Sequence, residues 1–306
     1  MRRSEKSIYL CARSFQGAEG RSGHSIKLVA ETLGYSRQYF YKQQKDMAVK
    51  DNIKAQVKLL VEKQRKLLPR LGTRKLYYLI AEELGQLCIK FGRDKLFALL
   101  NEYDLLIKPK RRYTQTTMSR HYLRKWPNIA KGLEVKEPDQ LWVSDITYIK
   151  TEEGNCYLNM VTDAYSRKIV GYAIDATMET TSMINALKMA TRQKVNAKAE
   201  TIHHSDRGLQ YCSREYVNLT AKNNIKLSMT ENSDPYENAL AERMNRTIKE
   251  EFGINRKLKT KDQAIQLVKE SIYLYNTKRP HLSLKMRTPE QVYKNENPDY
   301  IVQSGN

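Results

Sequence analysis

The chain has 306 residues, 40% hydrophobic and 29% charged, which is enough apolar side chain to bury a sizeable core and excludes a disordered polyelectrolyte. Its formal charge is +20, and the excess is segregated: residues 1–132 hold 29 Lys and Arg against 11 Asp and Glu, while residues 133–306 hold 25 against 23. Such asymmetry points to a module that neutralises phosphates beside a module with another task, and no basic stretch carries the wide apolar helical face of a membrane-surface binder.

Residues 26–33 predict a helix, Gly34-Tyr35 a turn, and Ser36 the N-cap of a second short helix. This is a helix-turn-helix pattern, with Ala30 and Gly34 small enough for close helix approach and Arg37, Gln38 and Lys42 projecting toward DNA; a plain helical hairpin is the alternative. Residues 48–68 predict one basic helix ended by Pro69. A helical pair follows, with Leu76, Leu79, Ile80 and Leu84 on one apolar stripe and Leu96, Leu99 and Leu100 on the next. The basic run Lys108-Pro109-Lys110-Arg111-Arg112 lacks apolar periodicity and reads as an extended linker suited to a DNA groove.

From Gln140 onward the pattern changes to strands. Residues 141–149, 156–163 and 168–175 predict a three-stranded meander. A helix near 182–193, a strand at 201–204, a helix near 214–222 and a strand at 225–229 complete an α/β layered fold with a mixed sheet. Cys11, Cys88, Cys156 and Cys212 form no C-x-x-C pair, so neither a zinc knuckle nor a disulfide framework is indicated, and a reducing cytosol is the expected setting. The apolar run from Ile8 to Ala12 is too short for a signal peptide, and no segment approaches the length of a membrane span.

Three acids stand at critical points of these elements: Asp145 within the first strand, Asp206 just after the fourth, and Glu242 on the helix after the fifth. An Asp inside the apolar run 142–149 is costly to bury as an anion unless a cation or several hydrogen bonds compensate it. Hard oxygen donors without Cys or paired His favour Mg²⁺ or Mn²⁺ over zinc. Three converging carboxylates can hold two such ions, one at the attacking oxygen and one at the leaving oxygen of an in-line displacement at phosphorus.

The surroundings sharpen this reading. Trp142-x-x-Asp145-x-Thr147-Tyr148, then His204-Ser205-Asp206-Arg207-Gly208-x-Gln210-Tyr211, then Glu242 after 35 intervening residues and Lys249 beyond it, resembles the D-D-(35)-E signature of retroviral-integrase-type transposases. Tyr275-Asn276-x-x-Arg279-Pro280-His281-x-x-Leu284 and Thr288-Pro289 are similar to the OrfB products of insertion sequences with two overlapping frames. So are the paired helices beginning near Gly72 and Arg74. One departure is Glu237-Asn238-Ala239 where the family usually has Asp-Asn-Ala, which makes Glu237 a minor rival to Glu242.

The resemblance implies a ribonuclease-H-like catalytic domain with a mixed five-stranded sheet, preceded by an all-α, helix-turn-helix-type region. The expected division is a helix-turn-helix-like segment at 1–50, a second helical DNA-binding candidate at 51–107, a basic linker at 108–135, the catalytic core at 136–253 and a helical extension at 254–306. It further implies Asp145, Asp206 and Glu242 as catalytic metal ligands for two Mg²⁺ or Mn²⁺ ions, and a DNA contact at Lys249. The implied partners are double-stranded DNA at element ends and target, a second copy of the chain during end pairing, and an OrfA-type companion or fusion. The implied place is the bacterial cytosol, at the nucleoid.

Several neighbours have plainer readings. Asp163 fits a turn or hydrogen-bonding role, with metal ligation the alternative; His203 and His204 precede Asp206, and His204 fits strand-end packing as well as it fits positioning a phosphate or the acid; Glu250 and Glu251 are expected to be solvated. Lys249 lies almost two full turns beyond Glu242 and so shares its helical face. Two other functions use the same residues: a ribonuclease-H-like nuclease or resolvase, and a catalytically silent DNA-binding regulator. The basic N-terminal region disfavours the first and the presence of all three acids the second. No His-His-Cys-Cys module stands in residues 1–60, which disfavours retroviral integrase proper.

Overall fold

The computed structural model describes residues 30, 34–107, 126–177, 179–197, 199–231 and 238–295. Lys110, Arg111, Arg112 and Glu237 lie outside the described residues, as does the first helix of the expected helix-turn-helix apart from Ala30. Ala30 is buried, and its carbonyl accepts from Tyr35 N at 2.9 Å while Gly34 takes a φ of +73°. A six-to-one bond over a left-handed residue is how a helix ends in a Schellman turn, and glycine takes that φ without a Cβ clash.

Helix α1 (Arg37–Leu67) begins where expected, with Ser36 Oγ accepting from Tyr39 N at 3.2 Å. It does not stop after a few turns. One helix of 31 residues replaces the separate short helix and basic helix read from the sequence, and it crosses the position between residues 50 and 51 without a break. The cause is visible in the chain: no Gly or Pro stands between Arg37 and Leu68, and buried Met47 anchors the stretch between the two expected pieces. Pro69 ends the helix, and Leu68 before it is no longer helical. Helices α2 (Thr73–Gln86) and α3 (Arg93–Glu102) follow, with Leu76, Ile80, Leu84, Leu96, Leu99 and Leu100 buried on the expected stripes.

The sheet contains β1 (Leu141–Thr151), β2 (Gly154–Asp163), β3 (Ile169–Asp175), β4 (Thr201–Ser205) and β5 (Ile225–Met229). Its order is β3-β2-β1-β4-β5, with β1 antiparallel to β2 and parallel to β4. This is a mixed sheet with the central strand carrying Asp145. Helices α4 (Thr180–Gln193) and α5 (Arg214–Lys222) cover one face, where Trp142, Val170, Leu187, Tyr211 and Tyr216 form a core. At Gly171 an added Cβ would collide with the Ala186 carbonyl, so only glycine lets β3 lie this close to α4.

Helices α6 (Ala239–Glu251) and α7 (Lys261–Thr277) cover the other face through Met244, Ile248, Val268 and Ile272, and the same apolar cluster runs on to Val57, Leu76 and Leu96 of the N-terminal helices. The last element among the described residues is α8 (Pro289–Tyr293), capped by Thr288 and Gln291 in a reciprocal capping box. Asn276 on α7 donates to Ile169 O and accepts from Ile169 N, each at 3.0 Å, and so satisfies backbone of the edge strand β3. Tyr293 Oη donates to Asp139 Oδ1 at 2.8 Å, tying α8 to the start of β1.

Candidate active site

Strand register sets the two aspartates side by side. Ser144 on β1 pairs with Ser205, the last residue of β4, so the next residue on each strand is an aspartate, Asp145 and Asp206. Asp145 Oδ1 accepts from Ile146 N at 2.9 Å, and Asp206 Oδ1 accepts from Gly208 N at 3.2 Å. Burial pushes the Asp145 carboxyl up to about 7; the charge of Asp206 adds to that, Glu242 adds less, and the Asn245 and Ile146 hydrogen bonds partly oppose it. The position is thus electrostatically short of a cation.

Helix α6 supplies the third acid. Asn238, Glu242, Asn245 and Lys249 recur at helical spacing on one face, and three of the four bond to β1. Asn238 Nδ2 donates to Ser144 O at 3.2 Å, Asn245 Nδ2 to Asp145 Oδ2 at 2.8 Å, and Lys249 Nζ to Thr147 Oγ1 at 3.1 Å and Tyr148 O at 2.8 Å. Glu242 stands in the middle of that row and is exposed. Lys249 also lies over the Tyr148 ring at 4.8 Å, and burial lowers the pKa of its amine, so much of its bonding capacity is used within the chain.

Among the described residues no three His, Cys, Asp or Glu side chains already form a metal-ligand cluster. The surroundings still suit a hydrated hard cation: the acid pair is oxygen-only, and the Asn238 and Asn245 Oδ1 atoms are buried without a hydrogen-bond partner.

The neighbouring residues resolve into structural parts. His203 is fully buried, with Nε2 2.6 Å from Ser144 Oγ and Nδ1 3.4 Å from Tyr216 Oη, and burial drives its pKa down to about 3. His204 Nδ1 lies 2.9 Å from Ser228 Oγ, between β4 and β5. Asp163 accepts from Ser166 N, Ser166 Oγ and Asp139 N, which is the turn role its sequence context suggests. Burial still lifts Asp163 to about 6 against those three bonds. Glu251 is not solvated as expected: Arg279 grips it with Nε–Oε2 at 2.6 Å and Nη2–Oε1 at 2.5 Å. Three residues beyond buried Ile248, its carboxylate is turned to Arg279, just after α7, and only partly reaches water. Arg37, Gln38 and Lys42 are exposed at the start of α1.

Sequence reasoning did not single out Asn245, and read Asn238 only as part of a motif. The 3.6-residue spacing that placed Lys249 beside Glu242 contained both.

A β3-β2-β1-β4-β5 sheet with an aspartate on the central strand, a second after its parallel neighbour and a glutamate on the following helix defines a ribonuclease-H-like core of integrase type. Two Integrase core domain family models match, over residues 135–235 and 223–289. The insertion element IS600 uncharacterized 31 kDa protein of Shigella sonnei is 37% identical over 220 residues, covering 71% of this chain and 79% of that protein. The transposase for insertion sequence element IS904 of Lactococcus lactis is 31% identical over 182 residues, covering 57% and 72%. The chain belongs to the insertion-sequence transposases with an integrase core domain. Among solved structures, the HTLV-2 integrase catalytic core domain in complex with magnesium aligns at 17% identity with a TM-score of 0.41, over 51% of this chain and 97% of that one.

Proposed function

We propose that this chain binds the ends of a mobile DNA element, cleaves a strand to a 3′-hydroxyl and joins that hydroxyl to a second phosphodiester. The observation that supports it most is the meeting of Asp145 with Asp206 by strand register, with Glu242 held opposite by a helix face bonded to the same strand. In this reading the three carboxylates hold Mg²⁺ or Mn²⁺, two ions per site. Bound there, the ions lower the charge barrier to nucleophilic attack at phosphorus and stabilise the departing oxygen.

The chain's own groups do the rest. Asn245 and the Ile146 N–H hold the Asp145 carboxylate by one oxygen each, and Gly208 lets Asp206 fold back over its own backbone. In the first step a water oxygen bonds to phosphorus and the P–O3′ bond breaks, leaving a 3′-hydroxyl and a 5′-phosphate. In the second that hydroxyl bonds to another phosphorus, loses its proton, and displaces a second 3′-oxygen, which takes one up. The exposed Arg37, Gln38 and Lys42, together with Lys110, Arg111 and Arg112 of the basic linker, neutralise DNA phosphates. Pairing two ends calls for a second copy of the chain, with or without an OrfA-type companion, in the bacterial cytosol.

Incubating the protein and Mg²⁺ with a labelled duplex carrying the element end tests this. Joined products longer than the substrate are expected; shortened products alone would assign a nuclease instead.

A further inference from the structure

Asn238, the N-cap of α6, and Asn245 within it bracket Glu242, four residues before it and three after, and both are buried. Neither amide is free to turn over. Asn238 Nδ2 points at the Ser144 carbonyl and Asn245 Nδ2 at the Asp145 carboxylate; reversing either would set oxygen against oxygen. Each Oδ1 therefore faces away from its acceptor, and each is buried with no hydrogen-bond partner. Leaving one such oxygen without a donor is costly, and two flanking a single glutamate need a common explanation.

We propose that these two oxygens accept hydrogen bonds from water molecules bound to the divalent cation held by the acids, which makes Asn238 and Asn245 positioning residues for the hydrated ion. The inference rests on the metal reading above. The chemistry suits the atoms: a small hard cation keeps several of its waters, and those waters are polarised into strong donors that need neutral acceptors nearby. An aspartate or glutamate in either place would compete to ligate the ion directly. An amide oxygen orients a metal-bound water while leaving the ion to the carboxylates. In this proposal Asn245 has both functions at once, since its N–H fixes Asp145 while its oxygen, buried without a partner, is left to accept from a bound water. Asn238 gives the cleaner test because its N–H bonds to backbone rather than to a ligand.

The test is metal binding by the full-length protein, without DNA. Mn²⁺ affinity is read from the paramagnetic resonance signal of the free ion, and hexaamminecobalt(III) is added as a competitor. That complex cannot exchange its ammines, so it engages a site only through N–H donors standing where metal-bound water would. Asn238→Leu is expected to weaken both ligands by about tenfold or more. Near-wild-type affinity for both overturns the proposal, and so does a loss confined to Mn²⁺, which would come through the carboxylates alone. Where Asn238→Leu does not fold, as judged by circular dichroism of the metal-free protein, the smaller Asn238→Ala, which likewise leaves no acceptor there, replaces it with the same outcomes deciding. Failure of the wild type to bind Mn²⁺, or undiminished binding by Asp145→Asn, would remove the metal site itself rather than this inference.

Discussion

Asn245 and Asp145 are joined by a 2.8 Å hydrogen bond from Nδ2 to Oδ2, a link between helix α6 and the central strand that crosses 100 residues of sequence. Lys249 repeats the link one turn further on, to Thr147 and Tyr148. Together they fix the rotation of α6 about its axis, and with it the direction of Glu242. Lys249→Met should cost about 1–2 kcal/mol of stability in urea unfolding, because the Tyr148 carbonyl loses a charged donor. The salt dependence of DNA binding should stay unchanged, since the amine is committed to β1. A slope reduced by about one would instead make Lys249 a phosphate contact.

The Arg279–Glu251 pair holds the far end of the same helix, and the guanidinium is nearly inaccessible, with 5% of its side chain exposed. Arg279→Met leaves Glu251 without its partner and should destabilise the protein by about 3–5 kcal/mol, measured by denaturant unfolding. Arg279→Met with Glu251→Leu should recover much of that loss. Equal stabilities of the single and double variants would show that the pair does not act as a unit.

Acid stability should carry a signature of His203. Its pKa is about 3 in the folded chain against an ordinary 6.5, so below 6.5 the unfolded chain takes up a proton that the folded one refuses. Stability from this residue is intact above that pH and falls as pH drops toward 3, by up to about 1.4 kcal/mol per unit. Asp145 and Asp163 act oppositely, because their raised values of about 7 and about 6 let the folded state gain protons first. Comparison with His203→Gln isolates the histidine. Between pH 7.5 and 5 the wild type should lose about 2 kcal/mol more than the variant does, and parallel curves would contradict the assignment.

DNA affinity should be dominated by the N-terminal charge. Replacing exposed Arg37 and Lys42 with alanine should flatten the log–log salt dependence of binding by roughly two, about 0.9 for each phosphate released. Binding titrations at four or five salt concentrations give the slope directly. An unaltered slope would make the start of α1 a solvated surface.

The sheet was legible because β-branched and aromatic runs broken by turn residues specify strands locally, and the three acids because their spacing is itself a pattern. The length of α1 was not legible. A cap at Ser36 predicts where a helix starts, but with no breaker between residues 37 and 67 only the burial of Met47 shows that two pieces are one. Glu251 was misread for a related reason: its solvation is decided by Arg279, 28 residues away, and not by neighbours in sequence. The paired orphan oxygens of Asn238 and Asn245 are likewise tertiary facts, since each amide is oriented by a strand that folds against it.

The most direct measurement is cleavage of an end-bearing duplex in Mg²⁺ by the wild type and by Asp145→Asn, Asp206→Asn, Glu242→Gln and Glu237→Gln, with DNA affinity measured alongside. The first three variants should fall to background while binding DNA as tightly as the wild type, because each removes a carboxylate without touching the basic helices. Glu237→Gln should cleave normally. Substantial turnover by Glu242→Gln together with loss in Glu237→Gln would contradict the assignment of the third acid, and full turnover by Asp145→Asn would contradict the site.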